Sequence, residues 1–372
     1  MKIIALKNNL KEALLIAERS VGESAHLPIL KNVFLRAEKD KNDLFISSTN
    51  LEIGIITSLS TKIIESGTAT ISASLLSSLI SNIPTERLDI ETKAGILEIK
   101  TDNYEVSLPL GVVDDFPIMP PLESIKAAFK INGSVLIEAL QMISAAVQFS
   151  DIRPEISGIF IDFSPDELTL AGTDIFRLSE KKINKTAFTS LSEEGVQTII
   201  PIKTAQEISR IFKKDEEITV EFDDTQVHIK SKNTELISRL INGTFPDYKG
   251  MKIIPAEFMT TIETNREEVI NALKLSGAVS QSAPEVSLVA QKGKKSIEIK
   301  SSEKGIGRTK AVIPAKMSGE DIEIFFNWRY LSDGLKGFQE EIITLGFNGH
   351  EKPALLRSAD TSFLYVLMPA KK

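Results

Sequence analysis

Three stretches of the chain repeat one order of helix, proline-bearing loop and strands at intervals of 124 to 130 residues, which restricts the fold more than any single motif. Leu10, Ala13, Leu14, Ala17 and Val21 follow the i, i+3, i+4, i+7, i+11 spacing of one amphipathic helix face. The same template returns at Leu136, Ala139, Leu140, Ile143 and Val147, and in a more polar form at Val269, Ala272, Leu273, Ser276 and Ser280. Pro28, Pro154 and Pro284 sit at equivalent places after these helices, and each leads into a β-type run at 33–35, 159–161 or 288–289. The runs 44–51 and 168–175 stand at a constant offset of 124, with 297–302 as a weaker third counterpart.

A second helix is expected in every copy, over 73–83, 202–212 and 328–338. Ser72, Pro201 and Asn327 introduce these helices and are residue types favoured at the N-cap or first helical position. Alternating segments follow at 88–91, 218–221 and 342–345, and Pro117 and Pro246 close the first two copies, because proline cannot continue a hydrogen-bonded ladder. The expected fold class is α+β, with two helices packed on roughly six to eight antiparallel strands per copy. The expected domains are 1–124, 125–253 and 254–372. The period is that of whole domains and not of a solenoid.

Composition removes much enzymology. The 372 residues contain no cysteine, so no disulfide, thiolate metal site or thiol nucleophile is possible. His26, His228 and His350 lie far apart and form no ligand-spaced pair, so neither a metal centre nor a Ser-His-Asp triad is expected. There is no GxxxxGK[ST] loop, and the pairs Asp114-Asp115 and Asp223-Asp224 fall at turns where solvated carboxylates are usual. The expectation is therefore no catalysis, no cofactor and no metal.

A net charge of -7 argues against a basic nucleic-acid binder held by global electrostatics and suits a soluble cytoplasmic protein. The N-terminal apolar run is too short for a signal peptide, and the uncharged stretch from Ser66 to Thr85 is too rich in Ser and Thr to cross a membrane.

Seven stretches occur in order along the repeat: LPILKNVFL at 27–35, DDFP at 114–117, RPEISGIFI at 153–161, GTDIFRLS at 172–179, NGTFPDYKG at 242–250, FNWRYLSDGL at 326–335 and YVLMPAKK at 365–372. Through them the whole chain resembles the bacterial sliding clamps, the beta subunits of DNA polymerase III. The resemblance implies three clamp domains per chain and a head-to-tail homodimer forming a six-domain ring. Helices would line a hole for duplex DNA, held without regard to sequence, and the sheets would lie outside. The implied partners are the replicative polymerase, the clamp loader and other proteins carrying a clamp-binding motif. The alternative is a non-catalytic repeat scaffold that binds proteins only.

Over residues 8–21, 73–83, 132–147, 202–213, 264–279 and 327–338, which take in the six expected helices, the formal charges sum to +2, leaving -9 for the rest of the chain, a slight segregation in the direction that DNA-facing helices require. Lys203, Arg210 and Lys214 share a helix face with Glu207 between them, which suits phosphate contact and surface ion pairs equally. Arg153 matches a basic position of a family loop, whereas Ser24 stands where many members carry arginine.

The resemblance also implies a hydrophobic groove that accepts a short peptide. Its walls would be Ile156, Thr173, Phe176, Arg177 and Leu178, then Pro246 and Met251, then Asn327, Tyr330, Val366, Leu367, Met368 and Pro369. Alternate residues of these strands must instead be buried in the core. Ile175 and Gly250 depart from residues common in the family at those places, which bears on groove shape. Val106, Leu108 and Val279 are the implied dimer-contact residues.

Overall fold

The computed structural model describes residues 1–22, 26–117, 119–120, 122–280 and 283–370. Ser24 lies outside these described residues. The first copy runs β1 (Lys2–Leu6), α1 (Lys7–Ala17), β2 (Asn32–Glu38), β3 (Asp43–Thr49), β4 (Ile53–Ser60), β5 (Lys62–Glu65), β6 (Gly67–Ser72), α2 (Ala73–Asn82), β7 (Arg87–Lys93), β8 (Ile96–Lys100) and β9 (Glu105–Pro109). The second runs β10 (Ala127–Asn132), α3 (Gly133–Ser144), β11 (Gly158–Phe163), β12 (Glu167–Thr173), β13 (Arg177–Asn184), β14 (Phe188–Ser190), β15 (Val196–Pro201), α4 (Ile202–Ile211), β16 (Glu217–Phe222), β17 (Gln226–Lys230) and β18 (Thr234–Arg239). The third runs β19 (Thr260–Asn265), α5 (Arg266–Val279), β20 (Glu285–Ala290), β21 (Ser296–Glu303), β22 (Gly307–Gly319), β23 (Ile322–Asn327), α6 (Trp328–Lys336), β24 (Ile342–Phe347), β25 (Ala354–Arg357) and β26 (Phe363–Leu367).

The copies thus hold nine, nine and eight strands, so the first two exceed the six to eight expected and the third falls within it. Short edge pieces such as β5 and β14 carry too few residues for a legible alternation. In the third copy one long strand, β22, serves both sheets: 307–314 pair with β21 and 315–319 pair with β19.

The helix stripes are buried as their spacing requires. Leu10, Ala13, Leu14 and Ala17 of α1 pack with Leu76 and Ile80 of α2 and the strands beneath them in one apolar cluster. Each large side chain buried there contributes roughly 1.5–3 kcal/mol of transfer free energy. The polar third template keeps its burial by pairing: Ser276 accepts from the Thr309 hydroxyl at 3.2 Å, and the Ser280 hydroxyl donates to the Glu285 carbonyl at 3.1 Å. Asn265 and Asn327 cap α5 and α6 by accepting from the Glu268 and Arg329 amides at 3.1 and 3.0 Å. Ser72 occupies the N-cap of α2 without a side-chain bond of that kind.

Strand order carries the repeat into the tertiary structure. A five-stranded sheet runs β5-β1-β7-β8-β9. A nine-stranded sheet runs β14-β10-β16-β17-β18-β4-β3-β2-β6, and a twelve-stranded one runs β15-β11-β12-β13-β26-β25-β24-β19-β22-β21-β20-β23. Each copy therefore supplies a five-strand and a four-strand set, and successive copies are sewn together where the fourth strand of one meets the last strand of the next. The first seam is antiparallel β4–β18, Thr57 opposite Thr234 through Ile53 opposite Ser238. The second is antiparallel β13–β26, Arg177 opposite Leu367 through Lys181 opposite Phe363.

The chain condenses into two compact units, Met1–Ser134 with Thr189–Ser192 and Arg210–Leu240, and Val135–Phe188 with Glu193–Ser209 and Ile241–Lys372. The middle copy is divided between them, and each seam lies inside one unit. Among the described residues no helix is long and apolar enough to cross a membrane.

Candidate functional site

In the second unit a groove of about 610 Å³ opens between the β12–β13 turn, the segment from Pro246 to Pro255, the β24–β25 connection and the end of β26. Hydrogen bonds fix the first wall. The Thr173 hydroxyl donates to the Arg177 carbonyl at 2.7 Å and accepts from the Ile175 amide at 3.1 Å. Asp174 Oδ1 accepts from the Phe176 and Arg177 amides, both at 3.0 Å. This turn holds Ile175 in the left-handed region at φ 72°, and the Met368 amide ties the end of β26 to the Phe176 carbonyl at 2.8 Å.

The floor is an apolar cluster in which Leu178, Phe245, Tyr248 and Val366 are buried. Phe245 stacks on Phe160 with ring centroids 4.9 Å apart and meets Tyr248 edge-on at 6.2 Å. The Tyr248 hydroxyl donates to the buried Glu180 carboxylate, fastening the Pro246–Pro255 wall to β13. Burial pushes the Tyr248 phenol well above its ordinary range, and the Glu180 partner pushes it further. Beyond Tyr248 the chain makes one helical turn, with the Met251 amide bonded to the Asp247 carbonyl at 3.0 Å, and ends with Lys252 at φ 54°. The Gly250 amide donates to Asp247 Oδ1 at 2.8 Å, and a Cβ at Gly250 would collide with that carboxylate. A larger residue there would have to displace that carboxylate.

Arg177 anchors the deep end. Its Nε donates to Asp174 at 2.8 Å, its Nη1 to Asp333 at 3.2 Å, and its guanidinium lies 4.1 Å from the Tyr330 ring centroid. Burial opposes this charge, but Tyr365 and Asp174 outweigh it and hold the Arg177 pKa above its usual value. The arginine is thus a fixed, partly neutralised plate beside an apolar trough. The rim is open: Ile175, Phe176, Met251 and Met368 are exposed. Such a trough, with adaptable methionines on its lip and few polar groups, fits an extended apolar segment.

The structure brings together Thr173, Phe176, Arg177, Leu178, Pro246, Met251, Val366 and Met368 as groove lining. Five expected residues do not line it. Ile156 and Leu367 are buried, Leu367 because strand alternation turns it away from its neighbours Val366 and Met368. Asn327 is occupied as the α6 cap, Tyr330 acts at one remove through the Arg177 ring contact, and Pro369 lies beyond the lining. Arg153, expected to face DNA, lines this groove and pairs with Glu155 at 3.0 Å. Ile175 also lines it, and Tyr248, Lys252, Ile253, Pro255, Asn348, Lys352 and Pro353 complete the lining and were not anticipated.

Three family models cover nearly the whole chain: the N-terminal, central and C-terminal domains of the DNA polymerase III beta subunit match residues 1–120, 130–247 and 251–371. The chain belongs to the DNA polymerase III beta subunit family. Among curated relatives, the beta sliding clamp of Synechococcus elongatus is 27% identical over 380 residues, covering 99% of each chain. That of Bacillus subtilis is 25% identical, covering 100% of each. The crystal structure of the Bacillus subtilis DNA polymerase sliding clamp superimposes with a TM-score of 0.93 at 25% identity, covering 100% of this chain and 99% of that one. A Pseudomonas aeruginosa sliding clamp bound to griselimycin gives a TM-score of 0.93 at 22% identity, which establishes likeness of fold.

The three clamp domains of the beta-subunit fold also locate the other expected residues. Lys203 and Arg210 occupy exposed positions of α4, and exposed Lys214 follows its end. The Lys203 ammonium lies 5.8 Å from the ring centroid of exposed Phe149, and the neighbouring Lys213 pairs with Glu12 at 2.9 Å. Val106 and Leu108 lie on β9, the last strand of its sheet, and Val279 ends α5. Leu108 is already buried in the first-copy core and Val106 packs partly against it, so the exposed positions of β9 are Glu105, Ser107 and Pro109.

Proposed function

We propose that this chain is a DNA sliding clamp: two copies close head to tail into a six-domain ring around duplex DNA, and the groove tethers the replicative polymerase and other partners. One observation carries the reading. Each seam joins the fourth strand of one copy to the last strand of the next, yet the last strand of the first copy, β9, and the fourth-strand portion of the third, 307–314 of β22, each have a neighbour on one side only among the described residues. A second chain offers both missing partners at once, and an antiparallel β9–β22 pairing would repeat the two seams. A two-fold closed assembly leaves neither of these two seam edges open, whereas an unclosed one would grow into fibres. Arg308 and Lys310 lie on β22 and Glu105 on β9, which gives the two edges side chains of opposite charge, although within the chain Lys310 pairs with Glu298 at 2.8 Å and Glu105 with Lys100 at 3.0 Å.

The copies act as three domains, 1–124, 125–253 and 254–372, in keeping with the family-model matches. The chain catalyses nothing itself and needs a clamp loader to open it. It works in the cytoplasm, and the interior contacts to DNA come from Lys203, Arg210 and Lys214. The groove takes a short peptide through Thr173, Phe176, Arg177, Leu178, Pro246, Met251, Val366 and Met368. Light scattering tests the assembly: a mass of about 82 kDa, twice the 41.0 kDa chain, is expected at micromolar concentration, and monomer alone would overturn the ring.

A further inference from the structure

Arg177 is a wall of two cavities. On one side lies the groove. On the other lies a polar cavity of about 500 Å³ between α3 and α6, lined by Glu138, Gln141 and Ser144 from the first helix and by Asp333 and Lys336 from the second. The fold itself does not require a cation at this position. The first copy builds the same turn, in which the Thr49 hydroxyl donates to the Ile53 carbonyl and Asn50 Oδ1 accepts from the Glu52 and Ile53 amides, yet the residue standing where Arg177 stands is the buried Ile53. A charge put there beside an apolar trough needs partners of its own. They come from two copies. Asp174, almost fully buried within the turn, holds Nε. Asp333 reaches Nη1 from the third copy with Oδ2 at 3.2 Å, while its Oδ1 accepts from Lys336 Nζ at 3.2 Å. Asp333 belongs to the lining of the polar cavity and not to that of the groove.

We infer that Asp333 is a positioning residue of the groove: from behind, it holds the Arg177 guanidinium against the Tyr330 ring and back from the trough, so that the groove favours apolar peptides over acidic ones. The inference rests on the peptide-binding reading proposed above. Without Asp333 the guanidinium keeps the Asp174 carboxylate alone of the two and has open space on both sides. A loosened, half-paired charge then borders the trough. An apolar peptide residue laid beside it would shut it off from water without pairing it, and part of the ordering now done in advance would fall on the binding step. A peptide carboxylate would instead supply the missing partner.

The test uses the full-length protein, a fluorescein-labelled hexapeptide ending in two leucines, a second peptide with aspartate in place of the first of these leucines, and three variants. Asp333→Asn keeps the shape and removes the charge. Asp333→Glu keeps a carboxylate on a longer stem. Lys336→Met removes the other cation on Asp333 without touching Arg177. The Asn variant should bind the apolar peptide roughly fivefold more weakly, the order expected when a charge-assisted hydrogen bond of a partly exposed pair is lost. The preference of wild type for the apolar over the acidic peptide should shrink in that variant, a change that a merely structural role would not produce. Its melting temperature should stay as in wild type, because the Asp333 side chain is 37% exposed. The Glu variant should bind more tightly than the Asn variant, and Lys336→Met should bind within twofold of wild type. Unchanged affinity and unchanged peptide preference in Asp333→Asn would overturn the inference while leaving the groove reading intact. So would a loss in Asp333→Asn matched by Lys336→Met or accompanied by a fall in melting temperature, or a Glu variant no tighter than the Asn one. Failure of wild-type protein to bind the apolar peptide saturably would count against the groove reading itself, and the inference would fall with it.

Discussion

Leu178 meets the groove from β13 and Met368 from just past the end of β26, but burial separates what they do. Met368 is 38% exposed on the rim, so Met368→Ala should weaken peptide binding by about 1–2 kcal/mol while melting stays as in wild type. Leu178 belongs to the groove floor, and Leu178→Ala should weaken binding and also lower stability by about 2–5 kcal/mol, because the truncation leaves a cavity. Peptide titration beside thermal melting of each single variant checks the split. Equal melting losses would assign both to the core. Tyr248 gives a pH signature to the same wall. Its folded pKa is raised above the ordinary phenol value, so its stabilising contribution is complete below about pH 10 and is lost as pH climbs above that value. The tyrosinate absorbance missing from Tyr248→Phe relative to wild type should therefore appear only in the strongly alkaline limb, together with unfolding. A Tyr248 signal already complete near pH 10 would contradict the buried Glu180 bond.

At the scale of elements, helix-to-sheet contacts leave little slack. A Cβ on Gly172 of β12 would come within 2.7 Å of the Ile143 Cγ2 on α3, so Gly172→Ala should cost about 1–3 kcal/mol by overpacking, read by denaturant melting. The two free edges can be tested by charge. Reversing both Arg308 and Lys310 to Glu sets like charges against Glu105 and should shift sedimentation toward monomer, more so at low salt, with monomer melting kept. A dimer unaffected at every ionic strength would argue that these edges do not meet.

Much of this layout was legible in the chain because helix periodicity and proline positions are local signals: the α1, α3 and α5 stripes are buried at the spaced positions. The groove was legible on its strands, where Thr173 to Leu178 and Val366 to Met368 carry it. It was not legible on its linker, since Tyr248 and Ile253 gain their role only by folding back over β13, and Asn348 and Lys352 arrive from a hairpin about a hundred residues away in sequence. Nor could local pattern reveal that Leu108 is sealed inside the first copy or that β22 spans two sheets.

For the whole molecule, encirclement and contact binding predict different behaviour. A net charge of -7 leaves little general attraction to DNA, so free rings should bind linear duplex weakly and in a salt-sensitive way. Rings placed on nicked circles by a clamp loader should stay with the circle through gel filtration at moderate salt and be lost once the circle is cut. Equal retention on circular and linearised DNA would reject topological holding.

The seam between β4 and β18 also bears on how the polypeptide is made. Synthesis delivers the first unit in pieces, because Met1–Ser134 cannot complete its nine-stranded sheet until Thr234–Arg239 has been translated. Until then β4 is a nascent edge waiting for a strand about 180 residues downstream, and the ribosome must release most of the middle copy before the first unit can close. The inherited repeat and the cooperative folding unit are therefore different lengths of chain. A fragment ending at 124 should aggregate through its open edge, whereas no fragment that starts at Met1 and is shorter than about 240 residues should fold to a soluble, protease-resistant body.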